Sequence, residues 1–272
     1  MPDCLVVFGS GSDEAVFRPL MKRLADFGVK AELRILSAHK SPAELSAAVE
    51  KSNARIFVAG AGLSAALPGV IASKTIRPVI GVPVNANYSG LDSFLSCSQM
   101  PSGIPVLSAG VENIEDAAFA VKAFLDGFEK VEIVQPAFSD FELFEKANDA
   151  KLLLEQFGIE FYTRETSKPD LRTVSIHLVE LAKTDRIVLS AGRNMRIFVP
   201  MAADTSGAEL AAKVLELSTN GLWVGLNRAD NAAFAAIQLL NGRGKFSKLL
   251  SELRAKARQA VLKSDSESGV RK

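Results

Sequence analysis

His39 is the residue of this chain whose type and position best suit the transfer of a proton. An imidazole has an unperturbed pKa close to neutrality, so it can both accept and return a proton. His39 directly follows a predicted strand at 30–37, and ligands of open parallel sheets bind beyond the carboxyl ends of the strands. A histidine taken alone is more often structural, and His177, the second of the two histidines, has no supporting motif. We interpret His39 as a candidate acid and base and His177 as a structural residue.

The segment 9–13, Gly-Ser-Gly-Ser-Asp, is a candidate oxyanion site. It places hydroxyls and a carboxylate between a buried strand and the start of a helix, where backbone N–H groups and the helix dipole favour phosphate. The same pattern is typical of a simple helix cap, so both interpretations stay open. The segment matches neither the phosphate loop of nucleoside triphosphatases nor the dinucleotide fingerprint. Without that fingerprint, a Rossmann-type oxidoreductase is not favoured.

Two further loops, 59–69 and 90–101, are candidates for contact with a ligand or a partner subunit. The segment 59–69 follows the third predicted strand, where small residues let the backbone approach a ligand or a partner subunit, or simply pack tightly. The segment 90–101 is interpreted as a helix-containing lid or a subunit contact. Its Cys97 has no histidine or second cysteine nearby, so a nucleophilic role is not expected. Because Cys4 is the only other cysteine, the sequence predicts neither a disulfide framework nor a zinc site.

Composition and charge argue against several classes of function. Hydrophobic residues make up 48% and charged residues 23% of the chain, as in folded globular proteins. The 32 lysines and arginines nearly balance the 31 acidic residues, so no global field attracts nucleic acid or an anionic membrane surface. No apolar run reaches the roughly 18 residues that a membrane span needs, and the first strand lacks the basic start of a signal peptide. We expect a protein of the reducing cytoplasm with neither nucleic-acid nor membrane partners.

Predicted strands and helices alternate along the first half of the chain. Gly28 ends the first helix, and Ser41 with Pro42 begins the second with a cap. Such alternation predicts a parallel sheet with helices on both faces. The predicted strands are 5–8, 30–37, 55–59, 79–82 and 105–107, and the predicted helices are 14–27, from 42 onwards, and 114–125.

The pattern begins again after Gly127, which indicates an internal repeat. We predict two copies of one α/β unit, at 1–128 and 129–242, followed by a charged helix and tail at 243–272. The polar residues 263–272 are expected to fray. Four segments of the second half echo the first in the same order: 134–140 echoes 7–13, 156–159 echoes 26–29, 186–192 echoes 55–60, and 232–235 echoes 117–120.

Several loops of the first half together resemble a known enzyme family. The motifs are Gly-Ser-x-Ser-Asp at 9–13, Ser-Ala-His-Lys at 37–40, Ala-Gly-Ala-Gly at 59–62, and Gly-Leu-Asp-Ser with Gln-Met-Pro-x-Gly-x-Pro-Val within 90–106. In this combination and order, the chain resembles the aminoimidazole ribonucleotide carboxylase and N5-carboxyaminoimidazole ribonucleotide mutase family of purine biosynthesis. The resemblance covers about 6–125. It implies an α/β fold, a three-layer α/β/α sandwich with a parallel, flavodoxin-like sheet, here tandemly duplicated.

The resemblance also implies the substrate and the residues of its site. The substrate would be an aminoimidazole ribonucleotide, bound without a metal or an organic cofactor. His39 would be catalytic, and the two loops nearest to it would hold the phosphate and the ribose. The substrate-binding residues that it implies are Ser10, Ser12, Asp13, Ser37, Ala38, Lys40, Gly60, Ala61, Gly62 and Leu67.

The implied reaction places a carboxylate on the ring carbon of the imidazole. In the mutase, an isomerase, the carboxylate leaves the exocyclic nitrogen as carbon dioxide, stays trapped in a dry pocket, and is attacked by the ring carbon. His39 then removes the proton of that carbon. A direct carboxylase, a lyase, takes free carbon dioxide instead. The mutase branch has arginine and histidine where Lys40 and Ala66 stand here, and Lys40 matches the direct branch, but Leu-Pro-Gly at 67–69 and the overall pattern favour the mutase.

The second copy is predicted to be without catalysis. The counterpart of the first loop reads Pro-Ala-Phe-Ser-Asp at 136–140, and the counterpart of the His39 loop reads Thr-Ser-Lys-Pro at 166–169, without a histidine. Because eight such domains form a ring-like octamer in the family, the resemblance implies a homotetramer whose chains supply eight domains and four working sites. The alternative from another class is a decayed nucleotide-binding or assembly subunit, favoured by Lys40 and Ala66 and opposed by the retention of His39.

Overall fold

The computed structural model describes residues 1–138, 140–168, 170–187 and 194–268. Its strands are β1 (Cys4–Phe8), β2 (Ala31–Ile35), β3 (Ile56–Ala61), β4 (Val79–Pro83), β5 (Leu107–Ser108), β6 (Lys130–Val134), β7 (Phe161–Arg164), β8 (Thr173–Glu180), β9 (Met195–Met201) and β10 (Leu222–Trp223). Within the described ranges, these strands form one continuous sheet in the order β2-β1-β3-β4-β5-β10-β9-β8-β6-β7. Neighbouring strands are parallel except β5 and β10, which meet antiparallel in the middle.

Helices cover both faces of this sheet. They are α1 (Glu14–Asp26), α2 (Pro42–Lys51), α3 (Ala66–Lys74), α4 (Leu91–Ser98), α5 (Ile114–Asp126), α6 (Phe141–Gln156), α7 (Glu209–Leu217), α8 (Ala229–Leu240) and α9 (Ser247–Glu267). The largest apolar cluster joins α1, α5, α6 and α8 to one face, while α2, α3, α4 and α7 pack on the other. The predicted three-layer α/β/α sandwich is therefore confirmed. No helix in the described part of the chain is long and apolar enough to cross a membrane.

The two halves of the sheet have the same strand order. The first half reads β2-β1-β3-β4-β5, and the second half, from its own edge, reads β7-β6-β8-β9-β10. Helices α1 and α6 begin directly after Asp13 and Asp140, at the same place in each half. Two matching residues after the fifth strands, Glu112 and Asn227, both adopt left-handed backbone conformations, with φ of 55° and 57°. This topology fits the predicted tandem duplication, although the two copies share one sheet.

One predicted correspondence between the halves is wrong. The segment 186–192 was expected to match 55–60, but the place of β3 is taken by β8, which pairs with β6 as β3 pairs with β1. Residues 188–192 of that segment lie outside the described residues, as do Ser139 and Pro169 of the two counterpart loops. The strand was missed because β8 carries polar residues such as Ser175 and His177 where β3 is apolar.

The last helix extends into the segment that was expected to fray. Helix α9 continues to Glu267, so 263–267 is helical, and the predicted tail residues 269–272 lie outside the described residues. The helix is anchored near its beginning, where Phe246 and Leu250 join the main apolar cluster. Further along, the Arg254 guanidinium donates a hydrogen bond of 2.7 Å to the carbonyl of Ala72 in α3. The final helix thus ties the second half back to the first.

Candidate active site

A cleft of about 630 Å³ opens at the carboxyl ends of β1, β2 and β3. This is the point where the strand order of the first half reverses, and ligands of open parallel sheets bind at such points. The cleft brings together ten of the residues expected from the sequence: Ser10, Ser12, Asp13, Ser37, Ala38, His39, Lys40, Ala61, Gly62 and Leu67. The loops that carry the motifs therefore form one site.

Gly60 is the expected residue that does not line the cleft. It lies inside β3, paired with Phe8 of β1, and a Cβ atom at this position would collide with the ring of Phe8. The structure therefore places Gly60 within β3 and not among the cleft-lining residues, and its contact with substrate stays a prediction. Its small size is needed for packing between two strands, which the sequence could not indicate without their register.

The loop around His39 is fixed by two serine hydroxyls. Ser37 Oγ accepts hydrogen bonds from the backbone N–H groups of His39, at 3.3 Å, and Lys40, at 3.2 Å. Ser41 Oγ accepts one from the Ser37 N–H, at 2.8 Å, and donates one to the Ser37 carbonyl, at 3.2 Å. Ser41 therefore braces this loop and does not cap α2 with its side chain, contrary to the expected cap. These bonds hold the exposed side chains of His39 and Lys40 at the cleft.

The loop after β1 lines the same cleft as the His39 loop. Ser10 Oγ accepts hydrogen bonds from the backbone N–H of Ser12, at 3.2 Å, and from its hydroxyl, at 2.7 Å. Partial burial raises the pKa of the Asp13 carboxyl above its usual value, the hydrogen bond from Ser12 opposes this, and the negative charge of Glu112 adds to it. The loop thus offers hydroxyls and a carboxyl with a raised proton affinity directly before α1.

The third wall of the cleft is the loop from β3 into α3. Ser64 has a left-handed backbone, with φ of 45°, and its N–H donates a hydrogen bond of 3.2 Å to Asp92 Oδ2. Asp92 belongs to the Gly-Leu-Asp-Ser motif, so that motif supports the wall from behind. Helix α4, which begins in this motif, is packed into the core, since Phe94 and Cys97 are fully buried. The segment 90–101 is therefore not a lid, and burial raises the pKa of the Cys97 thiol, which does not favour a nucleophilic thiolate.

Several cleft residues were not anticipated from the sequence. Asn85 and Ala86 follow β4, and Glu112 follows β5. The Asn85 N–H donates a hydrogen bond of 3.1 Å to Glu112 Oε1. Their positions directly after predicted strands were a usable signal, since the carboxyl ends of parallel strands share one edge. Among the described residues, no group of three His, Cys, Asp or Glu side chains is arranged to hold a metal ion.

The second half has a smaller pocket, of about 320 Å³, at the equivalent edge of its sheet. It is lined by Val134 at the end of β6 and Pro136 after it, by Glu165 after β7, and by His177 on β8. Burial, and to a lesser extent the charge of Arg196, lowers the pKa of His177 to about 4. The ring lies 5.0 Å from that of Phe198. A neutral imidazole packed on an aromatic ring agrees with the structural interpretation of His177.

Comparison with known proteins identifies a family and several named relatives. A family model described as AIR carboxylase matches residues 3–127. The N5-carboxyaminoimidazole ribonucleotide mutase of Methanocaldococcus jannaschii is 47% identical over 113 residues, which are 42% of this chain and 72% of that protein. The mutase of Pyrococcus horikoshii is 38% identical over 59% of this chain and 93% of its own length. The mutase of Thermotoga maritima is 36% identical over 61% of this chain and 99% of its own length.

The matched region contains every residue of the cleft. Two of the three relatives are covered almost completely, so the similarity extends well beyond a short motif. By its sequence and by the arrangement of its loops, the chain belongs to the AIR carboxylase family.

Proposed function

We propose that the chain is an N5-carboxyaminoimidazole ribonucleotide mutase of purine biosynthesis, which forms 4-carboxy-5-aminoimidazole ribonucleotide in the first-half cleft. The observation that carries the proposal is the position of His39, which lines one cleft with the hydroxyl-bearing loop after β1 and with Lys40. The three relatives described above all bear the name of this mutase. The cleft of about 630 Å³ has room for a mononucleotide-sized ligand.

In the proposed reaction, the bond between the exocyclic nitrogen and its carboxyl carbon breaks, and carbon dioxide is released inside the cleft. His39 gives a proton to that nitrogen as the bond breaks. The neighbouring ring carbon then attacks carbon dioxide and forms the new carbon–carbon bond. The hydrogen of the ring carbon leaves as a proton to His39, so the histidine ends in its starting state and no proton is gained or lost.

The remaining cleft residues divide between the phosphate and the ribose. Lys40 supplies a positive charge, and the hydroxyls of Ser10 and Ser12 lie before the N-terminus of α1, so this end of the cleft suits the phosphate. The carboxyl group of Asp13, directly before α1, suits hydrogen bonding to ribose hydroxyls. Ser37 acts chiefly by holding the backbone of His39 and Lys40. Ala38, Ala61, Gly62 and Leu67 leave room for the ring between these groups.

The donor of the carboxylate distinguishes the two family reactions. Lys40 and Ala66 depart from the mutase pattern. The three relatives described above are nevertheless named as mutases, so the direct carboxylase is not favoured. Purified protein should form product from N5-carboxyaminoimidazole ribonucleotide without added bicarbonate. Product formed only from aminoimidazole ribonucleotide and bicarbonate would assign the direct carboxylase. Product from neither would support a decayed nucleotide-binding or assembly subunit.

We further propose that the protein is a cytoplasmic homotetramer in which four chains present eight domain-like halves. The equal strand order of the two halves supports this count, because each chain carries two similar units. The histidine of the first-half cleft, His39, is exposed, whereas His177 of the second-half pocket is held neutral by burial, which lowers its pKa, so four sites are expected in the assembly. Light scattering on the purified protein measures the mass directly, and any mass other than four chains contradicts the tetramer.

A further inference from the structure

Asn231, at the start of α8 in the second half, holds a loop of the first half. Its side chain is buried, with 1% of its surface exposed. Asn231 Oδ1 accepts a hydrogen bond of 3.0 Å from the N–H of Gly103. Its Nδ2 donates to the carbonyls of Met100 and Pro101, each at 3.0 Å. One amide therefore satisfies three backbone groups of a segment that is more than 120 residues away in the chain.

The neighbours of Asn231 reinforce this contact. Ser102 Oγ donates a hydrogen bond of 2.6 Å to Asp230 Oδ2, and Arg228 forms an ion pair with the same carboxylate at 3.0 Å. Gly103 has a positive φ of 78°, a conformation that favours glycine. The whole segment 100–103, part of the Gln-Met-Pro-x-Gly motif, is thus held by the beginning of α8.

Met100 connects the held segment to the cleft. A Cβ atom on Gly69 would lie 3.2 Å from both Met100 Sδ and Cε, so the methionine side chain rests directly on α3. Leu67, in the first turn of α3, lines the cleft and belongs to the same apolar cluster as Met100. A shift of the Met100 backbone therefore displaces the side chain that supports the cleft wall at 65–69.

We propose that Asn231 is a positioning residue for the first-half site, acting through Met100 and α3. This inference rests on the proposed function of the cleft. It gives the second half a specific task, which is to hold the loop that supports the wall of the active cleft. Because three hydrogen bonds converge on one buried amide, loss of that amide frees the loop more than loss of any single contact at the surface.

Asp116 offers a matched control on the other side of the junction between the halves. It corresponds to Asn231 by its position in α5, and its Oδ2 accepts hydrogen bonds from the Gly221 N–H, at 2.7 Å, and from Asn113 Nδ2, at 2.9 Å. Asp116 thus holds a loop of the second half. That loop leads to β10 and has no route through Met100. On the first-half side, Asn113 is the neighbour of the cleft residue Glu112, but the backbone bond from Glu112 to Pro83 and the bond from the Asp116 N–H to Asn113 Oδ1 both remain when the Asp116 carboxylate is removed. Loss of that carboxylate should therefore affect stability much more than the cleft.

The test compares Asn231→Ala with Asp116→Ala in the full-length protein. Both variants should lower the melting temperature. Asn231→Ala should lower kcat/KM about 10-fold, because small displacements in a site have large kinetic effects. Asp116→Ala should leave kcat/KM within about twofold of the unchanged protein, because its loop does not contact the cleft. Met100→Ala should resemble Asn231→Ala, and the double variant Asn231→Ala, Met100→Ala should be little worse than either single variant.

Hydrogen–deuterium exchange provides a measurement that does not depend on activity. Exchange at 65–69 should be faster in Asn231→Ala and unchanged in Asp116→Ala. If the unchanged protein proves inactive, the proposed function fails, while this exchange result still tests the positioning role. If Asn231→Ala does not fold, Asn231→Asp replaces it. This variant keeps the acceptor for the Gly103 N–H and removes the amide N–H donors to Met100 and Pro101, so it should also lower kcat/KM.

Equal loss of kcat/KM in the Asn231 and Asp116 variants would mean a general loosening of the junction and would overturn the proposal. Unchanged kcat/KM and unchanged exchange in a folded Asn231 variant would overturn it as well. Strictly additive effects of Asn231→Ala and Met100→Ala would overturn the route through Met100.

Discussion

In the first half of the sheet, the strand face beneath α2 and α3 is apolar, whereas the equivalent face of the second half is polar. Leu5 pairs with Phe57 in the first half, and the corresponding pair in the second half is Glu132 with Ser175. All four residues are buried. Sheets with the same strand order can therefore have an apolar face covered by helices or a polar face whose side chains form hydrogen bonds with one another.

The polar face of the second half is held together around the carboxylate of Glu132. This carboxylate accepts hydrogen bonds from the hydroxyls of Ser167 and Ser175, and Arg164 lies 3.5 Å away. Asn194 donates to Ser175 at 3.0 Å. In the first half, the polar residues that line the cleft lie on loops at the strand ends, while the equivalent face belongs to an apolar cluster. The two halves thus share a strand order and differ in where their polar residues lie.

The sharpest contrast between the halves is between their histidines. Replacing His39 with asparagine should lower kcat by about 10² to 10⁴, the usual contribution of an acid–base group, with little change in KM. His177→Asn should keep the kcat of the unchanged protein, because His177 is buried against Phe198 in the other half. Steady-state kinetics on both variants measures this. Full activity in His39→Asn, or a comparable loss of kcat in both variants, would contradict the assignment of the acid–base role to His39 alone.

The polar network of the second half should matter for stability. Replacing Glu132 with leucine, the residue at the equivalent position of the first half, leaves the buried hydroxyl of Ser175, the half-buried hydroxyl of Ser167 and the Arg164 guanidinium without their acceptor. We expect the free energy of unfolding to fall by about 3 kcal/mol. Glu129→Leu is the control, because this exposed residue makes only a surface ion pair with Arg172 and its loss should cost less than about 1 kcal/mol. Urea unfolding that finds Glu132→Leu as stable as the control would reject a structural role for the network.

Much of the fold and of the cleft followed from the sequence, because both depend on local signals. The alternation of strands and helices predicted the layers, and the rule for strand ends placed His39 and the Ser12 loop on one edge. The junction could not be predicted in this way. β5 and β10 contain only two residues each, and side chains such as Asn231 hold the junction by binding backbone that is distant in the chain.

Other errors arose from residues whose role depends on register or on local geometry. Gly60 was assigned to substrate because it follows the pattern of a ligand loop, but its neighbour across the sheet is Phe8. Ser41 was expected to cap α2, yet its hydroxyl binds Ser37. β8 was missed because Ser175 and His177 interrupt its apolar pattern. The partner of Gly60 is known only when the strands have been assembled, and that of Ser41 only from the local conformation of its loop.

The buried histidine of the second half should also make stability depend on pH. Its pKa is lowered to about 4 in the folded protein, against about 6.5 in an unfolded chain, so the unfolded state binds the proton more readily. The contribution of the neutral His177 to the free energy of unfolding is thus fully present above pH 6.5. It is lost as the pH falls toward 4, by about 3 kcal/mol. Denaturant unfolding between pH 7 and 4 should therefore show a smaller loss in His177→Phe than in the unchanged protein. Parallel pH profiles for the two proteins would contradict the burial of a neutral imidazole.

The smallest expected effect concerns Lys40 in the first half and Lys168 in the corresponding loop of the second half. Lys40→Arg replaces a flexible point charge with a planar group that can bind phosphate through two hydrogen bonds, so KM should fall about two- to threefold with kcat unchanged. Lys168→Arg makes the same exchange after β7, in the loop that corresponds to that of Lys40, and should leave KM unaltered. Measuring KM at low and high salt separates a direct phosphate contact from a long-range effect of charge, because salt screens the direct contact less than the distant charge. If both exchanges shift KM equally, Lys40 acts only through the overall field of the protein, and the phosphate end of the cleft must be sought elsewhere.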